Sequence, residues 1–299
     1  MEKILVTGTS GRLGSVFTEH LETFLPENVE VYLLQNRKPV DARNINGKLA
    51  RVITSLEEGG VYDVAFHFAA NLHTSKGNPK KNPENLPEFT RDNVELTQKV
   101  CQRAGYVVYA STDNVFSGMD ERDYLESDKT NPPNNFYGQT KAEAEKIVLD
   151  RKGAVVRFQS PLGVRTNLIV DRIFDALEGR PTWPFWNDQV VRPTFYDDVI
   201  LASGRIYGKP SNQVFHVSCS GEPLSRAGIA KKVLEIYRQY DIPIAKDSIE
   251  EEPCNDPDFP RRLVLSTAHT RGYLGIPEFT SVDDAIRLHV LRIKKPEAI

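Results

Sequence analysis

The chain has 299 residues, of which 39% are hydrophobic and 26% are charged, and its formal net charge is −3 at pH 7. This composition is typical of a soluble globular protein, and the length allows one large α/β domain or a domain with a smaller companion. The acidic balance argues against a nucleic-acid partner, and no apolar run approaches the roughly 20 residues that a membrane span needs.

The three cysteines, Cys101, Cys219 and Cys254, are far apart in the sequence and show no metal-ligand spacing. Scattered cysteines in odd number are typical of a reducing compartment rather than of a disulfide scaffold. A strand pattern begins directly after Met1, which leaves no room for a signal peptide. We therefore expect a cytoplasmic protein without a bound metal.

A glycine-rich turn follows the first predicted strand, Lys3–Thr7, and precedes a helical pattern. Glycines between a strand and a helix let the backbone approach a pyrophosphate, which then lies on the N–H groups at the start of the helix. The GxxGxxG spacing in this context predicts a dinucleotide site. The residues expected to contact the cofactor here are Gly8, Ser10, Gly11, Arg12, Leu13 and Gly14.

The second predicted strand, Val29–Leu34, lacks the acidic residue that holds the ribose 2′-hydroxyl of NAD at the strand end. The residues that stand there are Gln35, Asn36, Arg37 and Lys38. Since an arginine can clasp a 2′-phosphate in a bidentate pair, we expect Asn36 and Arg37 to bind NADP(H), with help from Arg12. The alternative is that Arg37 and Lys38 belong to a solvated loop.

The next two predicted strands are Ala50–Ile53 and Val61–Ala70. The latter ends in Phe68, Ala69 and Ala70, whose small members allow a cofactor to approach the backbone. His67 lies inside this apolar run, and we interpret it as a hydrogen-bonded core residue rather than a catalyst.

Residues 71–87 are polar and are predicted as a long loop at the carboxyl end of a strand, where open α/β sheets bind ligands. Asn71 at its start is a candidate substrate contact, whereas His73 is interpreted as a surface residue. A helix is predicted from Asn93 to Cys101.

The apolar run Tyr106–Ala110 predicts a buried fifth strand that is followed by the hydroxyls of Ser111 and Thr112. Tyr137 and Lys141 begin a predicted helix, and their i, i+4 spacing places them on one face. A hydroxyl, a phenol and an amine above a strand end can exchange a proton with a carbinol oxygen, which is the chemistry of a hydride-transfer enzyme. We expect the ammonium of Lys141 to lower the pKa of Tyr137.

Strands and helices alternate up to the sixth predicted strand, Ala154–Phe158, which predicts a Rossmann-like, doubly wound parallel sheet. The rhythm breaks after Gly163. We predict an NADP-binding domain of residues 1–163, to which 188–218 return, and a smaller, discontinuous substrate-binding lobe of residues 164–187 and 219–299. The later predicted elements are the helices Leu168–Leu177 and Tyr196–Tyr207 and the strand Asn212–Val217.

The chain resembles the extended short-chain dehydrogenase/reductase family over essentially its whole length, and within it the dTDP-4-dehydrorhamnose reductases and their relatives. The motifs that carry the resemblance are Thr7-Gly8-x-x-Gly11-x-x-Gly14, Phe68-Ala69-Ala70, Asn93, Ser111-Thr112, Tyr137-x-x-x-Lys141, Asp188-Gln189 and Pro193-Thr194. Residues Ser111–Gly118 match the Ser-Thr-Asp-aromatic-Val-Phe-x-Gly motif of that group, except that Asn114 replaces the aromatic residue.

The resemblance implies NADPH-dependent reduction of the 4-keto group of a nucleotide-activated 4-keto-6-deoxy sugar, in cell-surface glycan or related glycoside synthesis. Tyr137 would be the general acid, Lys141 would hold the nicotinamide ribose and Thr112 would bind the substrate oxygen. The further contacts that it implies are Ser111 with the cofactor and Asn71, Asp113, Asn114, Trp183 and Arg192 with the substrate, Arg192 at the nucleotide diphosphate.

Several assignments stay open at this point. Trp183 and Trp186 either stack on a base or sugar or pack inside the second lobe, and Arg157 and Arg165 are secondary candidates for the diphosphate. The helices that follow Asn93 and Tyr137 are candidates for pairing across a homodimer.

Three other functions known for this fold were weighed. The related 4,6-dehydratases use a glutamate as base where this chain has Asn114, and an amide cannot take a proton from carbon. A nucleotide-sugar 4-epimerase uses the same tyrosine and lysine and remains an alternative, although the missing acid after the second strand argues against NAD. A non-catalytic NADP-binding module, like the regulatory subunit of methionine adenosyltransferase, is the other alternative.

Overall fold

The computed structural model describes residues 1–35, 44–45, 47–72, 82–132, 135–163, 168–255 and 260–299. Seven strands of this part form one sheet with the spatial order β7-β6-β5-β4-β1-β2-β3. The strands are β1 (Glu2–Thr7), β2 (Val29–Leu34), β3 (Arg51–Ile53), β4 (Tyr62–His67), β5 (Ala104–Thr112), β6 (Ala154–Phe158) and β7 (Val214–Val217). The pairs β1–β2, β1–β4, β2–β3 and β4–β5 are parallel. This order reverses direction at β1, next to β4, which is where open parallel sheets bind ligands.

Nine α-helices are described. They are α1 (Arg12–Glu19), α2 (Leu86–Phe89), α3 (Leu96–Arg103), α4 (Phe136–Asp150), α5 (Leu168–Leu177), α6 (Tyr196–Gly208), α7 (Arg226–Gln239), α8 (Ala268–Leu274) and α9 (Val282–Lys294). A π-helical turn, Thr90–Glu95, joins α2 to α3, and 3-10 turns occupy Leu21–Thr23, Pro83–Asn85, Asp113–Val115 and Pro296–Ala298. Short two-residue strands pair outside the main sheet at Asn44–Ile45 with Lys48–Leu49, at Phe185–Trp186 with Glu251–Glu252, and at Val190–Val191 with Leu224–Ser225 and Arg262–Leu263.

The described chain divides into two compact units. The first unit consists of residues 1–115, 129–157 and 200–215, and the second of residues 116–128, 158–199 and 216–299. In the first unit, buried side chains of the central strands form one apolar cluster with residues of α3 and α4; Val107 of β5, Val100 of α3 and Val148 of α4 all belong to it. The second unit has its own core, to which α5, α7 and α9 contribute. The predicted role of the second lobe in substrate binding stays a prediction.

The local sequence patterns predicted the positions of most strands and helices. The strands Val29–Leu34 and Ala154–Phe158 and the helix Leu168–Leu177 have the predicted bounds. By contrast, β5 continues to Thr112, so that Ser111 and Thr112 lie on the strand rather than after it. β4 ends at His67, and Phe68, Ala69 and Ala70 lie beyond the sheet. The helix predicted from Asn93 begins within the π-helical turn.

Candidate active site

The turn between β1 and α1 depends on its glycines. Gly8 has φ +74°, and a Cβ placed on it would lie 2.6 Å from the amide nitrogen of Ala69. A Cβ on Gly14 would lie 2.3 Å from the carbonyl oxygen of Gly8, which also accepts a 2.8 Å hydrogen bond from the Gly11 amide. The turn therefore packs so closely on itself and on the segment after β4 that side chains at these positions would open it.

The start of α1 suits an anion. Its N-cap residue is Gly11, which has no side chain to cap the helix, and no acidic residue occupies the first turn. The partial positive charge of a helix N-terminus is therefore not offset by a carboxylate there. Ser10, Gly11 and Arg12 are exposed, while Leu13 is half-buried. Phe68 packs on Phe17 of α1 at a centroid distance of 4.4 Å. The predicted Asn36, Arg37 and Lys38 lie outside the described residues, as does His73.

His67 is a core residue, as predicted. Its Nδ1 lies 2.6 Å from Thr7 Oγ1, and its Nε2 lies 2.9 Å from Thr97 Oγ1. Because the Thr97 hydroxyl donates to the carbonyl of Asn93, it accepts from His67 Nε2, and Nδ1 then accepts from Thr7. Burial lowers the pKa of His67 to about 3, so the ring is neutral at physiological pH.

Asn71 and Asn93 bind each other. The amide N–H of Asn71 donates to Asn93 Oδ1 at 2.6 Å, and Asn93 Nδ2 donates to the Asn71 carbonyl and to Thr140 Oγ1 of α4. The side chain of Asn71 donates to Asp92 at 3.2 Å. These bonds tie the segment after β4 to the π-helical turn and to α4. The predicted contact of Asn71 with substrate stays a prediction.

Thr112, Asp113 and Asn114 form a compact polar cluster at the carboxyl end of β5. Thr112 Oγ1 donates to Asp113 Oδ1 at 2.9 Å. The Asn114 side-chain amide donates to the same carboxylate oxygen at 3.0 Å and to Thr112 Oγ1 at 3.3 Å. Asn114 therefore supports Thr112 and Asp113 as a hydrogen-bond donor.

Tyr137 lies in this cluster at the start of α4, where it is half-buried. Burial raises the pKa of its phenol above the ordinary value, and the nearby Asp113 carboxylate adds to the rise, while a hydrogen bond with Thr112 opposes it. The structure thus brings together the predicted Thr112 and Tyr137.

Lys141 is only 2% exposed, and its amine is held at the end of β5. Nζ donates a 2.5 Å hydrogen bond to the carbonyl of Ala110 and lies 3.9 Å from the centroid of the Tyr109 ring. Burial lowers the pKa of Lys141 to about 7, and the carboxylate of Glu145 partly offsets this effect.

The expected lowering of the Tyr137 pKa by Lys141 is wrong for this structure. Burial outweighs the other influences on the phenol, and the lysine does not contribute to its shift. The amine of Lys141 is instead bonded to the Ala110 carbonyl and lies over the Tyr109 ring. Tyr137 is consequently protonated at neutral pH.

Ser111, Glu145 and Arg157 make a buried network that the sequence reasoning missed. Ser111 Oγ donates to Glu145 Oε1 at 2.5 Å. Arg157 binds the same carboxylate through Nε at 2.9 Å and Nη2 at 2.7 Å. Arg157 is therefore wrong as a candidate for a substrate diphosphate, because its guanidinium is buried in the sheet against Glu145. The sequence does contain a signal for this pair: Arg157 lies inside the apolar run Ala154–Phe158, and a buried arginine needs a buried acidic partner.

In the second unit, Arg192 and Arg262 share one carboxylate. Arg192 Nη2 lies 3.3 Å from Asp123 Oδ2, and Arg262 Nη2 donates to Asp123 Oδ1 at 2.6 Å. Two guanidinium groups on one carboxylate leave an excess positive charge that suits an anion. Trp183 is 67% exposed beneath the guanidinium of Arg172, and Trp186 lies beside that of Arg226. Arg165 lies outside the described residues.

Two features are absent from the described part of the chain. No cluster of histidine, cysteine and acidic side chains there is arranged to hold a metal ion. No helix in that part is long and apolar enough to cross a membrane.

Comparison with known sequences finds one family that matches most of the chain and relatives that are named as sugar reductases. The family described as the RmlD substrate binding domain matches residues 1–279. The chain is 27% identical to the dTDP-4-dehydrorhamnose reductase of Escherichia coli K12 over 201 residues, which are 64% of this chain and 67% of that protein. It is 32% identical to a dTDP-4-keto-6-deoxy-D-glucose reductase of Streptomyces niveus over 131 residues, 43% of this chain and 45% of that protein. The chain spans less than half the length of the latter relative.

Solved structures share the fold. The dTDP-4-dehydrorhamnose reductase of Bacillus anthracis in complex with NADP superposes with a TM-score of 0.77 at 21% identity, covering 98% of this chain and 100% of that one. A dTDP-glucose 4,6-dehydratase of Streptomyces venezuelae with NAD bound gives a TM-score of 0.78 at 21% identity, covering 97% of each chain. The predicted Rossmann-like fold is confirmed.

The glycine turn gives a first prediction. Gly14→Ala places a methyl group against the Gly8 carbonyl, so we expect urea unfolding to show a loss of about 1–3 kcal/mol and NADPH binding to weaken. Gly272→Ala in α8 is the control, because no atom lies within 4 Å of the added Cβ, and it should keep or raise stability. Equal stability and NADPH affinity of Gly14→Ala and wild type would contradict the packing described for the turn.

The buried amine gives a second prediction. Burial lowers the pKa of Lys141 from 10.5 to about 7, so between these values the unfolded chain binds more protons at this site than the folded protein. The stability of the wild type should therefore rise with pH relative to Lys141→Met, by up to about 1.4 kcal/mol per pH unit. The free energy of unfolding of both proteins from about pH 7 to 10 measures the difference. The exposed Lys146→Met is the control, and a constant gap between wild type and Lys141→Met would refute the lowered pKa.

Proposed function

The chain belongs to the RmlD substrate binding domain family, and we propose that it is an NADPH-dependent oxidoreductase that reduces the 4-keto group of a nucleotide-activated 4-keto-6-deoxy sugar. The observation that carries this proposal is the placement of the Tyr137 phenol beside Thr112 at the end of β5, with Lys141 one turn further along α4. Relatives named as dTDP-sugar reductases, and a similar fold that binds NADP, support the choice of reaction.

The protonation state of Tyr137 favours reduction. When bound, the nicotinamide cofactor supplies the hydride that goes to C4 of the keto sugar. Because burial keeps the phenol protonated, Tyr137 can give its proton to the alkoxide that develops at O4. With substrate bound, the Thr112 hydroxyl would turn from Asp113 Oδ1 to donate to the same oxygen, while the Asn114 amide, a donor to Thr112 Oγ1, holds the threonine in place.

The proposed cofactor contacts lie mostly at the ends of β1, β4 and β5. The uncapped start of α1 takes the pyrophosphate, while Phe68, Ala69 and Ala70 line the approach of the dinucleotide. Lys141 binds the nicotinamide ribose, and Ser111, whose hydroxyl is engaged by Glu145, contacts the cofactor through its backbone. Asn36 and Arg37 receive the 2′-phosphate.

The proposed substrate contacts are given for each of the two units by itself. Asp113 and Asn114 in the first unit, with Asn71, face the sugar. Arg192 in the second unit binds the diphosphate, a role supported by the excess positive charge that it shares with Arg262. Trp183 offers an exposed ring for a base or sugar.

The alternatives are less well supported. The Asn114 amide is a hydrogen-bond donor to Asp113 and Thr112, and an amide is no base for dehydration. A 4-epimerase would need the oxidative step as well, for which Tyr137 must first lose its proton, and the raised pKa leaves little phenolate at neutral pH. A purely regulatory NADP-binding protein has no need of the Thr112–Tyr137 pair.

The proposed acid gives a third prediction. Tyr137→Phe removes the proton donor, so kcat for NADPH oxidation against a panel of nucleotide 4-keto-6-deoxy sugars should fall about 10²–10⁴-fold, while the Kd for NADPH changes little. Tyr240→Phe in the second unit is a matched control and should keep wild-type kcat. Full activity of Tyr137→Phe on a sugar that the wild type reduces would exclude Tyr137 as the acid.

A further inference from the structure

A buried ion pair lies behind the catalytic end of β5. Glu145 of α4 and Arg157 of β6 are 2% and 3% exposed, and two hydrogen bonds of 2.9 and 2.7 Å join them. Ser111 donates a third bond to the same carboxylate at 2.5 Å. The carboxylate thus receives three donors from two strands of the sheet.

The position of Glu145 relates it to both proposed catalytic elements. It follows Lys141 by one helical turn on α4, and its partner Ser111 lies on β5 between Ala110 and Thr112. The carbonyl of Ala110 is the acceptor for Lys141 Nζ. One carboxylate therefore connects the helix that carries Tyr137 and Lys141 to the strand that carries Thr112.

We propose that Glu145, held by Arg157, is a positioning residue for the reduction: it fixes β5 against α4 and favours the ammonium form of Lys141, which would hold the dinucleotide. This inference rests on the proposed function, since it concerns how Lys141 serves the cofactor there. An ion pair at this depth contributes little stability beyond that of apolar side chains of similar volume, so stability alone does not account for it.

The other titratable groups that face Lys141 do not supply a negative charge at neutral pH. His67 on β4 is neutral, and burial raises the pKa of Tyr109 on β5 well above its usual value. Tyr137 on α4 is protonated for the same reason. Glu145 is the anion that favours the charged amine, whereas Arg157 on β6 is directed to Glu145.

The test compares the pH dependence of NADPH binding between variants. Glu145→Gln alone leaves a buried guanidinium without its carboxylate, so the variant to measure is Glu145→Gln combined with Arg157→Met, which removes both charges. Glu143→Gln on the exposed face of α4 is the matched control. Thermal unfolding of each protein establishes that it is folded, and the Kd for NADPH is then measured from about pH 5.5 to 9.

In the wild type, NADPH should bind more tightly as the pH falls and Lys141 becomes charged. The double variant should show this transition at a pH lower by about 1, with a Kd at pH 7.5 raised about 10-fold, because a neighbouring charge shifts a pKa by this order. Glu143→Gln should follow the wild-type curve. The 2′-phosphate of NADPH titrates equally in all three proteins and cancels in the comparison.

Two outcomes would overturn the inference, and they differ in what else they affect. A folded double variant with the wild-type pH curve would leave Glu145 a structural residue and would not touch the proposed reductase activity. A wild type that does not bind NADPH at any pH would overturn the proposed function along with the inference. Since the binding measurement uses no sugar, failure to find a reducible substrate would not alter the result.

Discussion

The burial of the Lys141 amine is the constraint on which the site depends. An ammonium at this depth needs partners, and it has the Ala110 carbonyl, the face of Tyr109 and the carboxylate of Glu145. These partners fix α4 against the end of β5, and this arrangement in turn sets Tyr137 beside Thr112. Asn93 extends the same arrangement to the segment after β4, because its side-chain amide donates both to Thr140 of α4 and to the carbonyl of Asn71.

Local sequence patterns predicted the fold well because each strand is short, apolar and bounded by turn residues. β2 and β6 have the predicted bounds, and the glycine turn is where the spacing placed it. The extension of β5 to Thr112 was missed, since the length of a strand depends on its neighbours in the sheet: β4 pairs with β5 only as far as Tyr109, and β6 flanks the other side of β5. A pattern within one segment does not reveal such a partner.

The sequence predicted which residues form the site, but it did not predict how burial shifts their pKa values. The i, i+4 spacing of Tyr137 and Lys141 is visible in the sequence, whereas the burial that raises one pKa and lowers the other arises only from packing. The pairing of Glu145 with Arg157 was also missed, because the two residues lie on different elements, α4 and β6. Proteins of this fold at about one-fifth identity carry out different reactions, so the chemistry depends on single residues such as Asn114.

The central claim is that hydride passes from NADPH to C4 of the sugar and stays there. The most direct test is to supply NADPH with deuterium at the transferred position, together with a nucleotide 4-keto-6-deoxy sugar, and to analyse the product by mass spectrometry and NMR. The account predicts one deuterium at C4 and one NADP⁺ for each sugar reduced. A C4 epimer without deuterium, formed while NADPH is not consumed, would contradict it.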